Sequence, residues 1–243
     1  MGLVGAAAGG GGVTAGPPRS EAFDSEHWRA FILANTRVLS PPLVPEIRLH
    51  LAEETLAIWQ KTEDELHALN VPPPFWAFAW AGGQALARYV LDNRHVVTAR
   101  RVVDIGAGSG IGAIAAARTG ASAVLATDID AIACVAVEEN ARLNGVWVKT
   151  SARDVLAEPI QEAAAPEIVL IGDLFYAREI AEQAMTFLER VTVHGATVLV
   201  GDPKRSYFPA DRFEAVATYK VVVSRELEDS EIRLSSVWRL RQR

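Results

Sequence analysis

Residues 102–130 read VVDIGAGSGIGAIAAARTGASAVLATDID, and the order of residue types in this stretch decides the fold. An apolar run, Val102-Val103, ends in Asp104. A glycine-rich turn follows at Gly106-Ala107-Gly108-Ser109-Gly110, then small apolar residues at helical spacing, then a second apolar run that closes on Asp128. The pattern is strand, tight turn, helix, strand, acid. Glycine lets the main chain bend sharply and lets a ligand approach the backbone closely. A helix that opens at such a turn aims free N–H groups and the positive end of its dipole at whatever is bound there. An acid about 20 residues beyond the first glycine falls at the tip of the neighbouring strand, where it can accept from both hydroxyls of a ribose.

Dinucleotides and S-adenosylmethionine both fit this frame, and the glycine spacing separates them. A dinucleotide fingerprint is G-x-G-x-x-G, whereas here glycines stand at Gly106, Gly108, Gly110 and Gly112. Asp104, two residues ahead of the first glycine, would repel a pyrophosphate and attract the amino group of a methionine moiety. The D-x-G-x-G-x-G pattern resembles motif I of the class I methyltransferases. That resemblance implies an α/β fold: a doubly wound, Rossmann-like sheet of seven strands, with an N-terminal helical and extended segment added.

Composition limits the alternatives. The chain has 243 residues, half of them hydrophobic, enough for one large α/β domain. Its formal charge is −6 and no dense Lys/Arg run is present, so nucleic acid is not an expected partner. A mildly acidic chain suits a lysine-bearing partner better. Cys134 is the single cysteine, which excludes an internal disulfide and a zinc cluster. It reads as a core residue on a helix face rather than a nucleophile, and no metal site is expected. No apolar run approaches the ~20 residues of a membrane span, so no membrane association is expected.

Three segments follow along the chain. Residues 1–20 form a Gly/Ala-rich tail that cannot bury enough to order itself, and it has neither a basic start nor any arginine before Arg19 to serve as a targeting segment. Residues 21–95 form an extension that packs on the core: a helix through HWRAFILANTR capped by Ser25, a proline-stiffened stretch, a strand at EIRLHLA, and then VPPPFWAFAWAGG leading into the helix GQALARYVLDN. The core, 96–243, forms one unit with the extension. It alternates strand 101–105, helix 110–119, strand 122–127, helix 130–143, strand 146–151, strand 168–173, helix 178–190 and strand 196–202, with late strands near 215–224 and 231–240.

Four core strands end in an acid: Asp104, Asp128, Asp173 and Asp202. In a doubly wound sheet these ends converge on one crevice. Asp104 and Asp128 are read as ligand contacts. Asp130 and Asp202 serve as helix caps or loop supports as readily as ligand contacts. Trp80 fits either core packing or contact with a ligand.

The segments PPFWAFAWAGGQALARYVLDN, DIGAGSGIGAIAAA, TDIDAIA, GDLFY (Gly172–Tyr176), GDPKRSYF and SSVWRL together resemble the electron transfer flavoprotein β-subunit lysine methyltransferases, over roughly residues 23–240. Part of the chain, GSGIGAIAAA and DIDAIACVAVEENARLNGV, also resembles the ribosomal-protein lysine methyltransferases, which carry a different segment where this chain has GDLFY. The resemblance implies a protein-lysine N-methyltransferase using S-adenosyl-L-methionine, and the electron transfer flavoprotein β subunit as protein substrate. It implies Asp173 and Tyr176 as catalytic residues. It also implies Trp80, Asp104, Gly106, Gly108, Ser109, Gly110, Asp128, Ile129, Asp154 and Asp173 as cofactor contacts, with Asp154 meeting the adenine amino group. The expected protein is a monomer, in the cytoplasm or, in a eukaryote, the mitochondrial matrix. The rivals are a methyltransferase acting on a ribosomal protein and an inactive methyltransferase-like binding module.

Overall fold

The computed structural model describes residues 24–53, 73–159, 165–223 and 231–241. The expected tail at 1–20, and the start of the proline-led segment at 71–72, lie outside the described residues.

The core begins with β3 (Arg101–Ile105), which runs through the glycine turn into α3 (Ile111–Arg118) and on to β4 (Ala123–Thr127). Then come α4 (Ala131–Leu143), β5 (Lys149–Ser151), β6 (Ile168–Gly172), α5 (Arg178–Val193), β7 (Thr197–Asp202), β8 (Phe213–Val222) and β9 (Ile232–Leu240). Ahead of them stand α1 (Ser25–Asn35), β1 (Arg37–Leu39), β2 (Leu49–Leu51) and α2 (Ala81–Asp92).

The seven core strands order as β5-β4-β3-β6-β7-β9-β8. β3, β4, β5, β6 and β7 are mutually parallel, and β9 inserts antiparallel between β7 and β8. This is the doubly wound seven-stranded sheet expected from the sequence. Four of the five β6 residues are buried, and its run IVLI has no polar alternation, as a central parallel strand covered on both faces requires. On one face, α5 buries Ala181, Ala184, Phe187, Leu188 and Val191, the spacing of a single helical stripe.

On the other face, α2 and α3 pack against the sheet and each other. The first turn of α2 comes so close to the strand ends that side chains are excluded. A Cβ on Gly201 would overlap the Gly82 carbonyl oxygen, and one on Gly172 would stand 3.1 Å from the Gly83 Cα. Four glycines therefore form one backbone-on-backbone crossing, and it places the start of α2 over the tips of β6 and β7.

The N-terminal extension docks through a second apolar cluster, in which Trp28, Phe31 and Ile32 of α1 meet Trp76, Phe78 and α4 residues Ile132 and Ala136. Buried Asn140 on α4 joins it to the glycine turn. Its side-chain oxygen accepts from the His50 N–H (2.7 Å), and its amide donates to the Ser109 carbonyl (2.9 Å).

Four local expectations are corrected. The cap of α1 is Asp24, whose carboxylate accepts from the Glu26 and His27 N–H groups, and Ser25 is already helical. EIRLHLA is extended only at 49–51, because successive turns bond Val44 N–H to the Pro41 carbonyl and Ile47 N–H to the Val44 carbonyl. α2 starts at Ala81, two residues early, because the Gln84 N–H closes the first turn on the carbonyl of Trp80, the extended cap residue (3.0 Å). β5 starts at Lys149 rather than 146, because the Val146 N–H is taken by the end of α4 at the Ala141 carbonyl.

The crossing makes a direct prediction. Gly201→Ala should destabilise the protein by about 1–3 kcal/mol, the usual cost of overpacking where backbone cannot yield. Chemical denaturation checks this, and a midpoint equal to the parent's would show that the crossing can open without cost.

Candidate active site

A pocket of about 390 Å³ opens at the carboxyl ends of the parallel strands, the size of a small-ligand site. The β3 tip contributes Ile105, Gly106 and Gly108, and the β4 tip contributes Thr127, Asp128, Ile129 and Asp130. Beyond β5 stand Arg153 and Asp154, and beyond β6 stand Gly172, Asp173, Leu174 and Tyr176. Pro73, Phe75, Trp76 and Trp80 of the proline-led segment close one side.

The glycine turn is built as its composition requires. Gly106 and Gly110 take φ of +63° and +78°, a region L side chains avoid, and Gly110 then caps α3. Asp128 bridges the turn, accepting from the Gly108 N–H at 3.0 Å through one oxygen and from the Asp130 N–H at 3.0 Å through the other. Burial raises its pKa above the ordinary carboxylate range. Asp130 is a helix cap, accepting from the Ile132 N–H at 2.8 Å. Asp154 stands on an exposed turn that it pins through the Leu156 N–H (3.1 Å). Ile129 is two-thirds exposed at the pocket rim.

Of the residues named from the sequence, Trp80, Gly106, Gly108, Asp128, Ile129, Asp154, Asp173 and Tyr176 come together around this pocket. Asp104, Ser109 and Gly110 do not line it. Asp104 is buried, and its carboxylate accepts from the Ala113 N–H at 2.8 Å, inside the first turn of α3. Ser109 is buried with its carbonyl on Asn140, and Gly110 packs against Val137.

Asp173 is the most constrained residue of the site. Its φ of +55° is left-handed, a conformation that costs roughly 1 kcal/mol or more for a side chain with a Cβ. Neighbouring contacts hold it there. Its own N–H donates to the Gly201 carbonyl (3.0 Å), and one carboxylate oxygen accepts from the Gly83 N–H (2.9 Å) at the α2 start. The other oxygen accepts from Arg205 at Nε (3.0 Å) and at a terminal guanidinium nitrogen (2.7 Å). Arg205 lies over the Trp80 ring, 5.5 Å from its centre, and its N–H donates to Asp202 at 2.7 Å. Trp80 is anchored by its indole N–H on the Phe75 carbonyl (3.0 Å). Tyr176 and Phe75 face each other at 5.8 Å across the mouth.

Arg205, Phe75, Leu174 and the Gly82–Gly83 pair are site elements that pattern reading passed over. The motif GDPKR contains Arg205, but only a turn with Lys204 at φ +65° brings it back onto Asp173. Burial pushes the Cys134 thiol up to about 11, in keeping with a core residue.

Comparisons with known proteins place this architecture. The family model described as ribosomal protein L11 methyltransferase (PrmA) matches residues 84–202. The electron transfer flavoprotein beta subunit lysine methyltransferase of Xenopus laevis is 38% identical over 217 residues, 86% of this chain and 85% of that protein. The same enzyme of Homo sapiens is 36% identical, over 86% of this chain and 80% of its own. Among solved structures, a ribosomal protein L11 methylase from Lactobacillus delbrueckii subsp. bulgaricus aligns with a TM-score of 0.45 at 23% identity, covering 65% of this chain and 77% of that one.

Three buried acids make stability depend on pH. Burial pushes Asp104 and Asp202 up to about 7 and Asp130 up to about 6. Each is stabilising when protonated, so its contribution is complete below the unfolded value of 3.8 and is lost as pH rises through 6 to 7. The cofactor-free protein should therefore melt at lower temperature at pH 8 than at pH 5, and Asp104→Asn should flatten the slope. Calorimetric melting across this window checks it, and a melting temperature that rises with pH would contradict it. The strand order, the pocket at the strand tips and identity along most of both chains converge: this chain belongs to the electron transfer flavoprotein β-subunit lysine methyltransferase family.

Proposed function

We propose that the pocket carries methyl transfer from S-adenosylmethionine to a lysine ε-amine of the electron transfer flavoprotein β subunit. The observation that carries this reading is the joining of two features at one pocket. The glycine turn and Asp128 lie on one side, and the constrained Asp173 with an aromatic mouth lies on the other.

The residues fit the cofactor. Gly106 and Gly108 bring bare backbone to the pocket wall, and the Asp128 carboxylate at the β4 tip would hold the ribose hydroxyls. Ile129 at the rim and Asp154 beyond β5 suit an adenine, apolar on its faces and carrying an amino group at its edge. Asp104 supports the site from behind: by holding the Ala113 N–H it fixes the first turn of α3, whose positive end faces the turn. The cofactor supplies a methyl group on a positively charged sulfur, which keeps the bonding electron pair when an amine lone pair attacks the carbon.

This chain's residues prepare that amine. A free lysine has a pKa near 10.4 and arrives as an ammonium. Phe75, Trp80, Leu174 and Tyr176 form an apolar slot that strips its water and lowers that value. Asp173, held at a fixed angle by the α2 start, accepts an N–H of the amine and aims its lone pair. Alignment of this kind supplies much of the acceleration. Tyr176 is raised above its ordinary pKa by burial and stays neutral, so it acts as a wall and a hydroxyl donor, not as a base. No helix among the described residues is long and apolar enough to cross a membrane. The ribosomal reading has less support here, because the matched stretch 84–202 leaves out β8, β9 and the segment around Phe75.

Two outcomes are expected. Asp128→Ala should weaken cofactor binding by ten- to a hundredfold, about 1.5–3 kcal/mol for a charge-assisted hydrogen bond, read by calorimetry. Asp173→Asn should retain cofactor affinity but lose methylation of the purified electron transfer flavoprotein β subunit by about a hundredfold or more, read by mass spectrometry. A parent enzyme that methylates ribosomal protein L11 and leaves the flavoprotein subunit untouched would replace the substrate assignment.

A further inference from the structure

Asp173 is not a bare carboxylate. Arg205 grips one of its oxygens with two donors, 3.0 and 2.7 Å away, and this guanidinium is largely withdrawn from solvent between Trp80 and the strand ends. Two further interactions fix the arginine: its stacking on Trp80 and the Asp202 bond to its own N–H. The aromatic mouth thus leads to an ion pair, with the cation facing the same pocket as the acid.

This pairing bears on a conflict within lysine methylation. A lone buried carboxylate would attract the incoming ammonium, raise its pKa and keep it protonated, with no lone pair to react. A guanidinium at the same place does the opposite. We infer that Arg205 is a positioning residue that neutralises Asp173, so that the acceptor lysine is admitted as the neutral amine. This inference rests on the lysine reading above. The proton leaves the ammonium for solvent water as the side chain enters. Asp173 then accepts an N–H from the neutral amine, a hydrogen bond that leaves the lone pair free to point at the methyl carbon.

Among the described residues, the other charges near this pair are held as follows. From β7, Asp202 is buried, pushed up to about 7, and bonded to the Arg205 main chain. From the same turn, Lys204 stacks over Trp238 at 5.6 Å. Tyr176 faces the pocket from the β6 side, and Asp128, Asp130 and Asp154 face it from the β4 and β5 sides. Arg153 is paired with Glu158 and Arg178 lies over Tyr207. α2 brings no charge to the site, its Arg88 being held by Glu46 and Asp92. Among the described residues Arg205 is the cation in contact with Asp173, and Asp202 is the acid bonded to its main chain.

The test counts protons. The electron transfer flavoprotein β subunit is titrated calorimetrically into the enzyme with S-adenosylhomocysteine bound, at pH 8, in buffers of different ionisation enthalpy. The parent should release about one proton per lysine bound, since a free lysine is almost fully protonated there. Arg205→Met should bind the same subunit with little or no release, and the acid limb of its rate profile should move up by about one pH unit or more. Arg205→Lys should restore much of the release, and cofactor titration of each variant verifies that the site is folded. Equal release by Arg205→Met and the parent would overturn the inference while leaving the lysine reading intact. Loss of release in Asp202→Asn with Arg205 in place would also overturn it, because Asp202 would then be the proton's source. A parent that does not bind the flavoprotein subunit at all would remove the substrate reading and the inference with it.

Discussion

The backbone crossing of α2 over the tips of β6 and β7 is the constraint on which the site depends. Gly82 and Gly83 meet Gly172 and Gly201 with no room for a Cβ between several of them. Because the helix start comes so close, the Gly83 N–H reaches the Asp173 carboxylate, and Trp80, the residue just before the helix, stands over Arg205. Side chains at those four positions would move α2 outward by the thickness of a methyl group. The acid, the arginine and the indole would then no longer meet.

The left-handed backbone of Asp173 belongs to the same arrangement. It is an unfavourable conformation for aspartate, and its N–H bond to the Gly201 carbonyl, its carboxylate bond to α2 and its pair with Arg205 together offset the cost. Strain held by surrounding contacts is common where a side chain must be presented at one angle. On the opposite wall, Asp128 ties the glycine turn to the start of α4, and Asn140 ties that turn to the N-terminal extension. The extension is therefore part of the site: its Phe75 and Trp80 form one wall, and its chain near His50 braces the turn from behind.

The fold and the glycine turn beside the pocket were legible because their signals are local. The run from Val102 to Asp128 carries strand, turn, helix and acid within one stretch, and β3 spans 101–105 as its apolar pattern requires. The central strand β6 and the stripe of α5 are legible for the same reason. What escaped depends on contacts between distant residues. Arg205 reaches Asp173 across 32 positions, through a turn whose left-handed Lys204 carries no compositional signal. Gly82 and Gly83 look like a helix beginning, and their role appears only when Gly172 and Gly201 lie opposite them. Asp104 is set at a strand tip like Asp128, yet its carboxylate turns inward to Ala113, and periodicity cannot distinguish those two directions. At the short ends, side-chain competition decides: Asp24 displaces Ser25 as cap, and turns shorten β2 and β5.

The central claim is that one pocket holds the cofactor by its ribose at Asp128 and presents the reacting carbon to Asp173 and the aromatic mouth. A crystal structure of the protein with S-adenosylhomocysteine tests it most directly. The account predicts both ribose hydroxyls on the Asp128 carboxylate, and the sulfur directed toward the space between Asp173, Phe75 and Tyr176 with Arg205 still paired. A ribose bound away from Asp128, or a sulfur directed away from Asp173, would contradict it.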